Sequence, residues 1–484
     1  MLQHKNTLNL SEMQKYFSSS EKAIQTLFNE LRSLKIYGNI FRSVDKINTQ
    51  YTGKQRLTLL LLFPIFAVKD ISCFAQTSLF QLYKCGKDVF YDFLNSPHID
   101  WRKLSFQLTK QLINRVEKNS EKTDNENIRC LIADDTDLPK RGRSFELLSR
   151  IYSHVTNTYN FGFKGLVLGY HDGKSFFGLD FSLHGEKGDE KKKNYKPYGL
   201  TNKQLKKRFK SKRDKKSAGQ KRVDEYFKTK THMLIEMIGN AISQGIRFDY
   251  LLTDSWFTNF ELIKFIATRK IKCYLLGMVK NGNTKYLVKN KELTFSNILK
   301  NLKHSQKAKS CKKFNCKYYE AQVELKGIQV KLFFCKMGKS KKWNGLLATN
   351  TELTFEKAFE IYATRWSIEV FFKECKQLLR LGKCESRHFE AQIAATTICL
   401  LQYNLLACVK RFESYESIGG LFRQVNAETI ELTIKERILL IIREILVEFS
   451  ENNHLGIDFF LEKLFAENEM VKNEKSFKTP LNAA

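Results

Sequence analysis

Hydrophobic runs long enough to cross a membrane are missing from this 484-residue sequence. The two most apolar stretches are 57–68, which is short and contains Pro64, and 391–409, which is interrupted by glutamine and asparagine. A helix needs roughly 20 apolar residues to span a bilayer, so we interpret both stretches as buried helices and expect no membrane partner. The N-terminus also lacks a basic start followed by an apolar run, so we do not expect export.

Cysteines in the pattern of a disulfide framework are missing as well. The chain has 11 cysteines, an odd number spread along its length, which favours reduced thiols in a cytoplasmic protein. Cys311 and Cys316 are close enough to suggest zinc, but no second pair and no histidine cluster follows them. We therefore do not expect a structural zinc site.

Acidic residues are scarce relative to basic ones. The chain has 51 Asp and Glu against 82 Lys and Arg, a formal net charge of +31. This charge exceeds what solubility requires and indicates a polyanionic partner, with DNA or RNA as the first candidate. The alternative explanation is a lysine-rich proteome. With 42% hydrophobic residues, the chain can bury large cores, and we expect a globular protein of several domains.

The order of apolar patterns predicts an α/β protein with helical ends. Residues 1–115 are predicted to be a helical N-terminal region that binds DNA ends. Strand patterns begin at residue 128 and alternate with helical ones, so 126–280 is predicted to be the first part of an α/β core. A β-rich insertion is predicted over 281–345, with a hairpin around Lys326 and Gly327.

The last part of the core is predicted over 346–410, followed by a helical C-terminal region, 411–484, that is a candidate for dimerisation. Within the first part of the core, the segment 190–230 contains about 17 basic residues and only a few acidic ones. Such a one-sided segment is typical of a surface that contacts phosphates. The alternative is a solvated face without a partner.

Two aspartates follow apolar, strand-like runs: Asp134 after IRCLIA and Asp254 after YLLT. The carboxyl ends of strands in α/β folds are where reactive groups assemble. Taken singly, either residue could instead be a turn former or a helix cap.

A helix after GLLATN supplies a third carboxylate. Thr354 is its predicted N-cap. Tyr362, Arg365, Glu369 and Lys376 fall within about 60° of one another on a helical wheel, with Lys373 close by. Next to this stripe lies an apolar one, so the helix can pack on a core while its charged stripe lines a cleft. The alternative is a surface helix with an Arg365–Glu369 pair.

Three carboxylates brought together need a compensating charge, because like charges at short range raise one another's pKa values. Two Mg²⁺ ions would provide it, since hard oxygen ligands suit Mg²⁺ and a metal pair supports in-line phosphoryl transfer. We therefore predict that Asp134, Asp254 and Glu369 are catalytic and bind two Mg²⁺ ions, with Mn²⁺ able to substitute.

These motifs resemble those of the IS4-type (Tn5-like) DDE transposases. The family's third motif is Tyr, two residues, Arg, three residues, Glu, six residues, Lys, and Tyr362, Arg365, Glu369 and Lys376 reproduce it. IADDT-x-LPKRG is similar to the first-aspartate motif and LLTDSWF to the second. The resemblance covers roughly 128–410.

The resemblance implies an RNase H-like core, interrupted by the β-rich insertion, in which Asp134 ends the first strand and Asp254 the fourth. Asp135 is the alternative to Asp134 as the first ligand. By the same resemblance, Tyr362, Arg365 and Lys376 contact DNA phosphates near the cleaved end, and we add Lys373 from its place beside the stripe.

Members of the family form a hairpin DNA end and hold a base outside the helix against an aromatic side chain. Trp366 is a candidate for that role, or else a core residue.

The resulting hypothesis is a bacterial, cytoplasmic and nucleoid-associated cut-and-paste transposase. It would bind double-stranded DNA at terminal inverted repeats and at the target, and act as a homodimer in the synaptic complex. The alternatives are a structure-specific nuclease, and a DNA-binding protein descended from a transposase that no longer cleaves.

Overall fold

A mixed sheet of 12 strands forms the centre of the protein, with helices packed on it. In this computed structural model the described residues are 22–423 except for 46–49, 67, 78, 81–84, 120–127, 192, 270–271, 339 and 414–416. The strands are β1 Cys130–Pro139, β2 Ser149–Ser153, β3 Thr158–His171, β4 Phe176–His184, β5 Tyr250–Thr253, β6 Tyr274–Val279, β7 Lys285–Val288, β8 Lys291–Thr294, β9 Lys309–Cys311, β10 Cys316–Leu325, β11 Ile328–Met337 and β12 Asn344–Ala348.

Twelve α-helices accompany these strands in the described residues. They are α1 Lys22–Ser33, α2 Gly53–Leu62, α3 Lys87–Asn95, α4 Trp101–Asn119, α5 Asn202–Lys207, α6 Ala218–Tyr226, α7 Lys230–Ser243, α8 Phe260–Ala267, α9 Phe295–Ser305, α10 Phe355–Ala363, α11 Trp366–Leu378 and α12 Phe389–Phe412. The mixed α/β class predicted from the sequence is confirmed.

Five neighbouring strands carry the candidate site, in the order β4, β3, β1, β5, β6. Strand β3 pairs antiparallel with both β4 and β1, whereas β1 pairs parallel with β5, and β5 pairs parallel with β6. A tight turn at residues 172–175 connects β3 to β4, and in it Asp172 accepts hydrogen bonds from the backbone N–H groups of Lys174 and Ser175. Parallel pairing of β1 with β5 brings residues that are far apart in sequence to one edge.

Strand β1 is longer than the sequence indicated. We expected Asp134 to end the strand, but β1 continues to Pro139. The extension forms because residues 134–139 stay paired with β3, whereas pairing with β5 stops at Ala133. Asp134 is thus the first residue of β1 without a parallel partner.

The segment 281–345 contributes strands β7–β11 and helix α9. These strands do not form a separate layer, since β12 pairs with β6 and is followed across the sheet by β11, β10, β7 and β8. The predicted hairpin joins β10 to β11 through Lys326 and Gly327, whose φ angles are 49° and 85°. The segment therefore widens the central sheet.

The N-terminal helices pack on the core. Helices α1–α4 contact α12, and α4 also contacts β4. Helix α12 is the one described helix long and apolar enough to cross a membrane by composition, but 94% of its most apolar window is buried inside the protein. Its polar residues have partners there: the Gln402 amide donates to the Leu60 carbonyl (2.9 Å), and the Asn404 amide donates to Gly178 O (2.8 Å).

A buried ionic cluster ties α4 to the sheet and to α6. Arg102 donates to Asp180 (2.8 Å) and, at short range, to Glu225, while Arg222 lies 3.1 Å from Glu225. All four side chains are largely buried. Breaking one partner of such a cluster leaves an uncompensated charge in the interior, so the cluster fixes the N-terminal helices to the core.

Of the predicted C-terminal region 411–484, the described residues reach Arg423. They include the end of α12 and a short helical turn in which Ile418 and Leu421 are buried. The predicted apolar helix near the C-terminus, and its suggested part in dimerisation, lie outside the described residues.

Candidate active site

Asp134 and Asp254 lie next to each other at one edge of the sheet. The last parallel pair between β1 and β5 is Ala133 with Thr253, and the two aspartates are the next residue of each chain segment. Adjacent strands are about 4.8 Å apart, so the register places the two carboxylate-bearing residues side by side. This register brings the two aspartates to one edge of the sheet, as we expected from the sequence.

Asp254 also stabilises a turn, which is the structural role given above as the alternative to a catalytic one. Its Oδ1 accepts hydrogen bonds from the backbone N–H groups of Trp256 (2.9 Å) and Phe257 (3.0 Å). These bonds fix the tight turn that leads from β5 to α8. A carboxylate has a second oxygen with further acceptor capacity, so holding the turn leaves Asp254 able to bind a cation.

The helix that carries Glu369 is broken, contrary to our assumption of one continuous helix. Helix α10 ends at Ala363 and α11 begins at Trp366. Between them the backbone hydrogen bonds span three residues, as from Arg365 N to Tyr362 O and from Ile368 N to Arg365 O. A tightened turn changes the angular spacing, so one helical wheel does not describe both helices. Thr354 caps α10 as predicted.

Arg365 joins two of the three carboxylates. Its Nη1 lies 3.0 Å from Asp134 Oδ2, and its Nη2 lies 2.5 Å from Glu369 Oε1. The pair with Glu369 is the i,i+4 interaction considered from the sequence, but the contact with Asp134 crosses from the turn before α11 to β1. The Arg365 side chain is mostly buried, so this is more than a solvated surface pair.

Burial raises the pKa of Asp134 to about 7, and the nearby charge of Asp254 raises it further, while a hydrogen bond from the Asp135 N–H and the charge of Arg365 oppose the rise. A carboxyl that titrates near neutrality beside a second carboxylate is under electrostatic stress in its charged form. A cation bound at this edge would relieve that stress.

Asp135 lies on the opposite face of β1, because successive side chains of a strand alternate. Its Oδ2 accepts a hydrogen bond of 2.6 Å from Lys230, at the start of α7. Asp134, in contrast, lies on the face that meets Arg365 and Glu369. The geometry therefore favours Asp134 over Asp135 as the partner of Asp254 and Glu369.

Tyr362 and Lys376 flank this cluster. The Tyr362 hydroxyl donates to the Thr253 carbonyl (3.2 Å), immediately before Asp254, and burial raises the Tyr362 pKa. Lys376 Nζ donates to Thr136 Oγ1 (2.7 Å), two residues beyond Asp134, and burial lowers its pKa. Despite the break between α10 and α11, Tyr362, Arg365 and Lys376 each contact β1 or β5 directly, and Glu369 is linked to β1 through Arg365.

Trp366 and Lys373 are both exposed. Trp366 is 63% exposed, so its alternative as a core residue is wrong. A second exposed tryptophan, which we did not predict from the sequence, is Trp256; it lies two residues after Asp254 and is 47% exposed. Lys230 Nζ sits 4.2 Å above the Trp256 ring. The position of Trp256 in the LLTDSWF motif is the sequence feature that could have identified it as a candidate site residue.

The basic segment 190–230 is anchored to the core at several points. Arg213 pairs with Glu146 (2.6 Å) and Glu390 (2.5 Å), both of them buried. Most of its lysines, however, are exposed and have no described acidic partner: Lys191, Lys193, Lys196, Lys203, Lys206, Lys207, Lys210, Lys212, Lys215, Lys216 and Lys221. The segment therefore presents a positive surface on a fixed backbone.

A divalent metal fits the chemistry of this edge, since Asp134 and Asp254 provide adjacent hard oxygen donors. Among the described residues no three Asp, Glu, His or Cys side chains lie close enough together to hold one ion. Arg365 occupies the position between Asp134 and Glu369 instead. Binding of a metal to both carboxylates requires its guanidinium to move to another anion.

Two protein families match this chain. Residues 71–283 match the DDE superfamily endonuclease family, and residues 208–414 match the family described as "Archaeal putative transposase ISC1217". The chain is thus similar to DDE superfamily endonucleases and transposases over residues 71–414, and Asp254 lies in both matched ranges. No curated protein sequence matches the chain.

A piggyBac transposase synaptic complex with hairpin DNA is a similar solved structure. The TM-score is 0.41 at 14% identity, covering 90% of this chain and 83% of that one.

Proposed function

We propose that this chain is a cut-and-paste DNA transposase of the IS4 type. It binds terminal inverted repeats, cleaves them with water as the nucleophile, and joins the freed 3′-hydroxyl ends to target DNA. The observation that carries the proposal is that Asp134 and Asp254 are neighbours at the edge where β1 and β5 part, and that Arg365 pairs with both Asp134 and Glu369.

The fold supports an RNase H-like core. Strand order β4-β3-β1-β5-β6, with two antiparallel pairings followed by two parallel ones, places the first aspartate on the central strand and the second on its parallel neighbour. The matched DDE families support phosphodiester chemistry at this edge.

Asp134, Asp254 and Glu369 would hold two Mg²⁺ ions, for which Mn²⁺ can substitute. When bound, such a pair would supply activation of the attacking hydroxyl and charge stabilisation of the leaving oxygen in a phosphoryl transfer. Arg365 has a planar guanidinium, which is suited to hold the scissile phosphate through two parallel hydrogen bonds once it leaves the carboxylates. Lys376 and Tyr362 fix the two strands that carry the aspartates, and Lys376 also offers a charge to a neighbouring phosphate.

The exposed lysines of the basic segment and the exposed Trp366 and Lys373 provide further DNA contacts. We propose that Trp366 stacks on a base displaced from the duplex, since an exposed indole face suits such contact. The protein would act as a homodimer on two transposon ends, in the bacterial cytoplasm at the nucleoid.

A structure-specific nuclease is the second candidate, because the same carboxylates could cleave DNA without joining it. The test is a duplex taken from the inverted repeat that flanks the gene, incubated with Mg²⁺ and a supercoiled target plasmid. Cleavage together with covalent joining supports the transposase. Cleavage without joining identifies a nuclease, and binding without either reaction identifies a DNA-binding protein that no longer cleaves.

A further inference from the structure

The hairpin formed by β2 and β3 exposes an unusual tip. Val155 is 93% exposed and Tyr159 is 58% exposed, which is a large apolar and aromatic surface to leave in water. His154 and residues 156–160 are not buried either. No acidic side chain occurs from Leu147 to His171. The proposed catalytic edge does not use this tip.

The tip is ordered by its own contacts. The Tyr152 hydroxyl donates to Asn157 Oδ1 (3.2 Å), and the Tyr152 and Tyr159 rings lie 5.0 Å apart. Lys164 donates to the Tyr152 carbonyl (2.7 Å) and to Asp137 on β1 (2.5 Å). A surface held in one conformation loses little entropy when it binds a partner.

Arginine side chains lie along the hairpin. The Arg150 guanidinium lies 5.0 Å from the centre of the exposed Tyr159 ring, and that of Arg143 lies 5.5 Å from the centre of the Phe161 ring. Arg141 and Arg143 are exposed on the loop that follows β1. The basic segment contacts the same loop, because the Phe209 N–H donates to the Ser144 carbonyl (2.9 Å). Arg141, Arg143 and Arg150 therefore place cations between the end of β1 and the hairpin.

Sheet register gives the distance between the hairpin and the candidate site. β1 extends from Asp134 to Pro139, which pairs with Gly162, and β3 continues in the same direction to Thr158. These nine residue steps at about 3.3 Å each place the hairpin roughly 30 Å from Asp134. A duplex rises about 3.4 Å per base pair, so this distance equals about nine base pairs, close to one helical turn.

We propose that the β2–β3 hairpin binds the transposon-end duplex about one helical turn inside the end seated at Asp134. Asp135 and Asp137, on β1 between the two points, are paired with Lys230 and Lys164. The exposed cations Arg141, Arg143 and Arg150 are then available to a phosphate backbone that follows β1. Arg150 contacts a phosphate, while Tyr159 and Val155 enter a groove. The inference rests on the proposed function, because it needs a DNA end at Asp134.

The direct test is site-specific photocrosslinking. A benzoylphenylalanine is placed at Tyr159, and the protein is bound to a 30-base-pair duplex from the inverted repeat that flanks the gene. We expect crosslinks centred about nine base pairs from the cleaved end. The control site is Arg247, which is also exposed but precedes β5 at the opposite end of the parallel strands. We expect no localised crosslink from it.

Affinity provides a second measurement. Arg150→Gln should weaken binding of the same duplex roughly fivefold at 0.15 M salt, and lower the slope of log affinity against log salt by about 0.9. Arg247→Gln should change neither. Unlocalised or absent crosslinks, or crosslinks within the first few base pairs, would overturn the inference. If cleavage by the wild type persists in that case, the proposed function stands; if the protein neither cleaves nor crosslinks, both fail.

Discussion

Replacing Asp134 with asparagine should stabilise the metal-free protein, in a way that depends on pH. Burial and the charge of Asp254 raise the Asp134 pKa from 3.8 to about 7. Because the folded state binds this proton more tightly than the unfolded chain, stability is lost as pH rises from about 4 to about 7. The shift then costs the fold about 4 kcal/mol at pH 8, where the folded protein carries the charged carboxylate, and less than half as much at pH 5, where it must keep the proton.

Asparagine is neutral at both pH values, so the variant lacks this destabilisation. We therefore expect Asp134→Asn to raise the free energy of unfolding by up to about 4 kcal/mol at pH 8, and by less than half as much at pH 5. The assay is urea unfolding of both proteins in EDTA at the two pH values. Asp135→Asn is the matched control, since Asp135 pairs with Lys230 on the other face of β1.

Addition of Mg²⁺ should shrink the advantage of Asp134→Asn at pH 8, because an ion bound only by the folded wild type stabilises it. Equal stabilities of the two proteins at pH 8 in EDTA, or a gain of the same size at both pH values, would refute the electrostatic account of this edge.

Three further substitutions test the candidate site, the buried ionic cluster and the basic segment. Arg365→Lys keeps the charge but loses the planar fork, so single-turnover cleavage of a pre-bound end should slow at least tenfold while affinity changes little; equal rates would remove Arg365 from the site. Arg102→Leu leaves the buried Asp180 and Glu225 with Arg222 as their one described cation, so the cluster gains an uncompensated negative charge and urea unfolding should show a loss of about 3–5 kcal/mol. A neutral effect would mean that the cluster does not fix the N-terminal helices. Changing Lys206, Lys207 and Lys210 together to glutamine should lower the salt slope of binding to unrelated DNA by up to about 2.7, and an unchanged slope would identify a solvated face.

Much of the candidate site was predictable because its signals are local. Apolar runs ending in Asp134 and Asp254 predict strands that end at one edge, and the spacing from Tyr362 to Lys376 predicts one functional stripe. The Arg365–Glu369 pair follows from helical spacing alone.

What the sequence did not reveal depends on tertiary pairing. The extension of β1 to Pro139 is set by its partner β3, and the contact of Arg365 with Asp134 crosses from a helix to a strand. The break between α10 and α11 has no glycine or proline to mark it. The buried cluster around Arg102 joins residues more than 70 positions apart, a distance at which no local pattern carries information.

The central claim is that Asp134, Asp254 and Glu369 together perform metal-dependent cleavage. Its most direct measurement is cleavage of the inverted-repeat duplex in Mg²⁺ by the wild type and by Asp134→Ala, Asp254→Ala, Glu369→Ala and Asp135→Ala, with binding of the duplex measured in parallel. We predict that the first three variants bind the DNA but do not cleave it, while Asp135→Ala still cleaves. Normal cleavage by any of the first three, or loss of cleavage in Asp135→Ala with Asp134→Ala active, would contradict this assignment of the active site.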